Sequence, residues 1–345
     1  MRRDALHTGR MERLLVCGWD VGEARSLQGM LAALRREAAL EAVAVGDRQP
    51  SALVHARAAL GLPCYQHLRE MIRTTDSNAV LFATPDLAVE LAADAAARGR
   101  DLLLLGDQMD GAALDAAATA TIRYGVALAV LRPALRGAGL TFLTDLIEAD
   151  QRWTPVALHL ELRGDRAAHS MLRDLVAATT RLMHATPTEV FASVGGRDRD
   201  NPVSMAAHLR FEDDRLVTLS ARPGLSDRIV LSADTAAGSI ELDAADGDSR
   251  LTLAPWGGDA QRSLLRDQDS FTLEARHVSA VRGDDALDQK LAHREAALLY
   301  AIEAAATTGI LARVEDPGTR STLRVLAGGA LGATPRLGQL RVVAQ

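Results

Sequence analysis

Gly18 and Gly22 follow an apolar run at residues 14–17, and Asp47 closes a second apolar run at residues 42–45. Glycines in that place let backbone N–H groups approach a pyrophosphate at a helix N-terminus, and an acid at that distance can accept from a ribose hydroxyl. The turn itself departs from the G-x-G-x-x-G pattern in either register. With Gly22 as third glycine, Cys17 and Trp19 take the first two places, and an indole in the second is expected to obstruct a phosphate. With Gly18 as first, Asp20 and Glu23 take the other two, and their carboxylates repel an anion.

Other chemistry-bearing residues are sparse. Cys17 and Cys64 have neither CxxC nor histidine-rich spacing, and His159, His208 and His277 are scattered along expected strands, so no metal site is expected. Asp107, Gln108 and Asp110 make a small polar group after an apolar strand, either a ligand site or an exposed loop. The chain's one lysine is Lys290.

These residues depend on the elements that carry them. Residues 27, 30, 31 and 34 recur as one helix face between the first two strands, completing a βαβ unit. Ser51 can cap a helix ending at Gly61. Strands at 79–83, 102–105 and 126–130 alternate with helices ending near Gly99 and Gly125. Right-handed crossovers then imply a doubly wound, Rossmann-like parallel sheet with both faces covered. Past Pro133 the pattern changes. Helices at 141–149 and 169–184 flank a strand at 155–162, and strands of period two follow from 189 to 253 before a helix at 287–308. The expected fold class is α/β followed by α+β, the second part built on a mainly antiparallel open sheet. The expected divisions are an arm at 1–12, a dinucleotide-binding-type domain at 13–133, a substrate or oligomerisation domain at 134–316 and an extension at 317–345.

With 345 residues, 48% of them apolar, both parts can bury a core. Charges are mixed and net only −6, which offers no field for nucleic acid or an anionic bilayer. Arg2, Arg3, Arg10 and Arg13 read as a solvated arm. No apolar run approaches the roughly 20 residues of a membrane span, no signal-peptide core is present, and a reducing cytoplasm is the expected location.

The order of these parts resembles the Gfo/Idh/MocA family of nicotinamide-dependent oxidoreductases over residues 14–316. The similarity is carried by residues 44–48 (AVGDR), 79–85 (AVLFATP), 96–102 (AARGRDL) and 238–242 (GSIEL). Known members act mostly on sugars, cyclitols and related alcohols with NAD or NADP. The resemblance implies cofactor contacts from Gly18, Gly22, Asp47, Arg48, Thr84 and Pro85, and a substrate cleft lined by Asp107, Arg132 and Arg181.

Carried over position by position, the family's catalytic residues are missing. Its Glu-Lys-Pro falls on Leu105, Gly106 and Asp107. Its Asp-x-Gly-x-His falls on residues 174–178, keeping Asp174 but replacing the histidine with Ala178, and Arg181 replaces a second Asp. The histidine after the Thr-Pro turn falls on Val89 or an apolar neighbour. Alcohol oxidation needs a base for the hydroxyl proton, and arginine stays protonated. His169 and His184 lie on other faces of Asp174's helix. Asp174 is either a remnant acid/base or one half of a structural ion pair, and Arg132 either lines the cleft or is a solvated arginine at a strand end.

Three functions follow from the resemblance. The first is a non-catalytic subunit forming a homo-oligomer, or pairing with an active relative, through the open face of the second sheet. The second is an oxidoreductase acting on an imine, enone or sugar-like substrate with a rebuilt proton donor such as Asp174, Arg132 or Tyr124. The third is a sensor of a dinucleotide or sugar.

Overall fold

The computed structural model describes residues 11–20, 22, 24–196, 202–245, 247–266, 269–282 and 287–314. The expected arm at 1–12, apart from its last two residues, the extension at 317–345, Glu23 and Asp246 lie outside these.

The first part of the chain runs β1 (Glu12–Cys17), α1 (Ala24–Glu37), β2 (Leu40–Gly46), α2 (Pro50–Leu60), β3 (Cys64–Tyr65) and α3 (Leu68–Thr74). It continues through β4 (Ala79–Phe82), α4 (Pro85–Ala96), β5 (Asp101–Leu105), α5 (Gly111–Tyr124) and β6 (Leu128–Leu131). The six strands pair in parallel in the order β3-β2-β1-β4-β5-β6, with the chain reversing direction across the sheet between β1 and β4. Leu14 to Cys17, β4 and most of β5 are inaccessible to solvent. A parallel strand covered on both faces must be apolar on both, hence runs rather than alternation. α2 starts at Pro50, not at a capping Ser51, because proline lacks the N–H that the first helical position leaves unpaired. Gly61 and Gly125 end α2 and α5 in left-handed conformation, as the spacing predicts.

The second part runs α6 (Ala138–Ala149), β7 (Pro155–Gly164), α7 (Ala168–Met183), β8 (Glu189–Gly195), β9 (Ser204–Arg210), β10 (Leu216–Pro223) and β11 (Arg228–Thr235). After β12 (Gly238–Ala245), β13 (Asp248–Pro255) and β14 (Gln261–Arg266) come α8 (Ser270–Val281), α9 (Leu287–Thr308) and β15 (Ala312–Arg313). The second sheet has the order β14-β13-β12-β11-β7-β10-β9-β8-β15. Its pairs are antiparallel except β7 with β10. α7 lies on β7, β9 and β10, and its apolar stripe, including Leu172, Leu175 and Leu182, is buried there.

The chain divides into two compact units, Met1–Gly137 with Asp267–His293, and Ala138–Arg266 with Arg294–Gln345. The expected second domain at 134–316 thus yields α8 to the first unit. α8 packs along α1, where Phe271 lies against the bare Cα of Gly29, and Ala275 and Val278 enter the core of the first sheet. Glu274 of α8, fully buried, accepts from Arg136 Nε at 2.8 Å. The start of α9 covers the edge of the same sheet. Asp288 accepts from the N–H of Val130 at 3.3 Å, and Gln289 donates to the carbonyl of Val126 at 3.1 Å. Side chains thereby pair groups that an edge strand leaves open. Among the described residues no helix is long and apolar enough to cross a membrane.

Candidate functional site

The glycine turn lies at the C-terminal end of β1, beside the β1/β4 switch point where open α/β sheets bind ligands. Gly18 has φ of +97° and donates to the carbonyl of Gly46 at 2.8 Å, and a Cβ on it would lie 2.9 Å from Thr84 Cγ2. Gly18 and Thr84 therefore approach across the switch point as only glycine permits. Thr84 stands in extended conformation at the N-cap of α4, with Pro85 at its first position.

Asp47 holds this turn in place. Its Oδ2 accepts from the Trp19 N–H at 2.8 Å and its Oδ1 from the Gln49 N–H at 2.7 Å. Each carboxylate oxygen has a second lone pair, so the acid retains capacity for a hydroxyl, although only 8% of the residue is exposed.

Trp19 does not obstruct the turn as the sequence suggests. The residue is 3% exposed and joins the core of Leu27, Val45 and Ala52, and its indole N–H finds no acceptor among the described residues. Asp20 Oδ1 accepts from the Gly22 N–H at 2.8 Å and so closes the turn. Cys17 is fully buried, and burial pushes its thiol up to about 12, which makes it a core residue and not a nucleophile.

Arg48 turns to α4, where it pairs with Glu90. Glu90 also meets Arg69 of α3 at 3.7 Å, and Arg69 meets Asp94 at 3.5 Å. The cations and anions alternate in one surface chain beside the acid at the end of β2.

At the end of β5, where the resemblance puts a lysine, Gly106 has no room for a side chain. A Cβ there would lie 2.7 Å from Val130 Cγ1, 2.8 Å from Arg132 Cγ and 2.9 Å from the Leu131 carbonyl oxygen. Arg132 is fully buried and its Nη1 donates to the Gly106 carbonyl at 2.9 Å. It is therefore neither a solvated strand-end arginine nor a surface of a cleft. Asp107 and Gln108 are half-buried in the turn that follows, and Asp110 caps α5 by accepting from Ala113 N–H at 2.8 Å. Tyr124 ends α5, the helix that runs back from the C-terminal end of β5, and so sits at the N-terminal end of the strands, opposite the switch point. That placement removes it as a proton donor.

In the second unit, Asp174 is fully buried on α7 and accepts from Arg166 Nη1 at 2.8 Å. Arg166 Nε also meets Asp227 at 3.0 Å. Burial, with Asp165 and Asp174 nearby, raises the Asp227 pKa above the usual aspartate value despite Arg166. Asp174 thus forms an ion pair with Arg166, eight residues earlier; Arg181 on the same helix is half-buried. Ala178, one turn on, is buried in the helix core. His169 is half-buried, with its pKa lowered by burial and by Arg173, and His184 ends the helix exposed at φ of +50°. Neither stands in for the absent histidine.

Gly18 thus meets Thr84 in the first unit, and Trp19, next in the chain, is tied to Asp47. Arg132 and Gly106 also meet there, but as a packed pair. Sequence reasoning missed Glu90, Arg166 and Asp227, because no local pattern signals a partner across elements.

The sequence matches no family model and no curated protein. Solved structures do match. An NAD-binding oxidoreductase from Klebsiella pneumoniae is 14% identical, covering 90% of this chain and 100% of that one, with TM-score 0.74. An oxidoreductase from Agrobacterium radiobacter, in complex with NAD+, L-tartaric acid and magnesium, is 13% identical over 90% and 99%, with TM-score 0.74. The WlbA dehydrogenase from Bordetella pertussis, in complex with NADH and UDP-GlcNAcA, is 17% identical over 89% and 100%, with TM-score 0.68. The chain has the fold of NAD(P)-binding oxidoreductases of the Gfo/Idh/MocA type.

Proposed function

We propose that this chain keeps the dinucleotide site of that fold but has lost its alcohol chemistry, and serves as a non-catalytic partner subunit of an active relative. The observation that carries this reading is the filled space at Gly106. A proton shuttle there needs a lysine, and the room for its side chain is taken by β6 and by Arg132. Ala178 supplies no base, and Asp174 is engaged by Arg166. Nicotinamide chemistry would come from the cofactor itself. The chain's residues would bind it, with the turn that begins at Gly18 beside the phosphates, Asp47 at a ribose hydroxyl and Thr84 and Pro85 closing the switch point.

Retention of a dinucleotide is supported by the inward-turned Trp19 and by the NAD+ and NADH in the similar Agrobacterium and Bordetella structures. A partner role is supported by the second sheet, whose face opposite α7 presents exposed Phe191, Arg163, Arg222 and Ser232. The test is turnover by the purified chain with NAD+ or NADP+ and a panel of sugars and cyclitols. The expected result is none above background. Turnover in the ordinary enzyme range of about 1–10³ s⁻¹ would overturn the reading.

A further inference from the structure

We propose that Glu90 sets which dinucleotide this chain takes, by occupying Arg48 and so denying it to a 2′-phosphate. The inference rests on the dinucleotide site proposed above and names its ligand as the form with a free 2′-hydroxyl. In this fold the acid at the end of the second strand takes the ribose hydroxyl, whereas an arginine beside it accommodates a 2′-phosphate. Here both are present in sequence, as Asp47 and Arg48, and sequence alone does not choose between them.

The structure separates their roles. Asp47 is drawn in by two backbone amides, at 2.8 and 2.7 Å, and stays at the turn. Arg48 is drawn away to α4 by Glu90, which is itself held by Arg69. The charges of Arg48, Glu90, Arg69 and Asp94 cancel, so Asp47 leaves the ribose edge net negative. A phosphate dianion there meets repulsion from Asp47 and finds Arg48 already paired with Glu90.

Binding of NADH and NADPH to the full chain, followed by calorimetry and by energy transfer from tryptophan to the nicotinamide, tests this without any turnover. The wild type is expected to bind NADH about tenfold more tightly than NADPH, a difference of about 1.4 kcal/mol. Glu90→Gln is expected to strengthen NADPH binding about fivefold and to change NADH binding by less than about twofold. The gain should weaken with added salt and vanish in the Glu90→Gln/Arg48→Ala double variant. Equal wild-type affinities, an unchanged ratio in Glu90→Gln, or a gain that survives Arg48→Ala would each overturn the proposal. So would a folded chain that binds neither dinucleotide, while the loss of alcohol chemistry would stand. Turnover of an alcohol by the wild type would overturn that loss and leave the selectivity ratio intact.

Discussion

Arg132 stands in the room that Gly106 leaves open. Its Cγ lies 2.8 Å from where a Cβ on that glycine would be, and its guanidinium donates to the glycine's own carbonyl at 2.9 Å. The absence of a side chain at 106 and the burial of a long one at 132 are therefore one feature of the packing.

That relationship predicts that a lysine cannot simply be put back. Gly106→Lys is expected to lower stability by about 1–3 kcal/mol through overpacking, and to restore no alcohol oxidation. Arg132→Ala leaves a cavity and takes one donor from the Gly106 carbonyl, which keeps the Met109 N–H at 3.2 Å. The double variant should cost less than the sum of the two single changes, since each relieves part of what the other disturbs. Denaturant unfolding of all three variants measures this coupling.

Asp47 predicts a linked loss of structure and binding. Asp47→Ala removes the acceptor for the N–H groups of Trp19 and Gln49, and is expected to cost about 1–3 kcal/mol and to loosen the glycine turn. Near-ultraviolet dichroism of the Trp19 indole and a dinucleotide titration should change together. A variant that keeps its stability but loses binding would mean that the acid serves only the ligand.

The acids of the second unit predict opposing pH effects. Asp227 has a raised pKa, so the folded chain holds its proton more tightly than the unfolded chain. Its contribution favours folding at low pH and is lost as pH rises from 3.8 through its folded value. Glu161 is the reverse. Burial opposes its ionisation, but the hydrogen bond from Arg163 and the charges of Arg163, Arg222 and His159 outweigh it, and the pKa is lowered. Its contribution is present above 4.5 and is lost as pH falls through the folded value. Unfolding midpoints measured from pH 3 to 7 should therefore show less acid loss in Glu161→Gln and less acid gain in Asp227→Asn.

Gly29 predicts the attachment of α8. A Cβ there would lie 2.8 Å from Phe271 Cε2, so a larger side chain must push the ring away. Gly29→Leu is expected to raise amide exchange across 270–281 while leaving β1 and β4 protected. Unchanged protection of α8 would show that the Arg136–Glu274 pair suffices to hold it.

The sequence by itself determined the elements whose signals are local. The apolar runs of β1, β4 and β5 and the glycines after α2 and α5 were legible because burial on both faces and left-handed caps leave marks within a few residues. The doubly wound character of the first sheet was expected from right-handed crossovers. Only the tertiary structure decided which core an amphipathic segment joins. α8 returns to the first unit, and nothing in residues 270–281 alone distinguishes one apolar surface from another. β14 was invisible because most of it is exposed, so no alternation marks it. The parallel pairing of β7 with β10 depends on strands far apart in the chain. In the site, the residue types at 106, 174 and 178 revealed what chemistry was missing. The inward turn of Trp19, the burial of Arg132 and the engagement of Arg48 by Glu90 were not readable, because each is a side-chain direction set by neighbours that folding alone brings into contact.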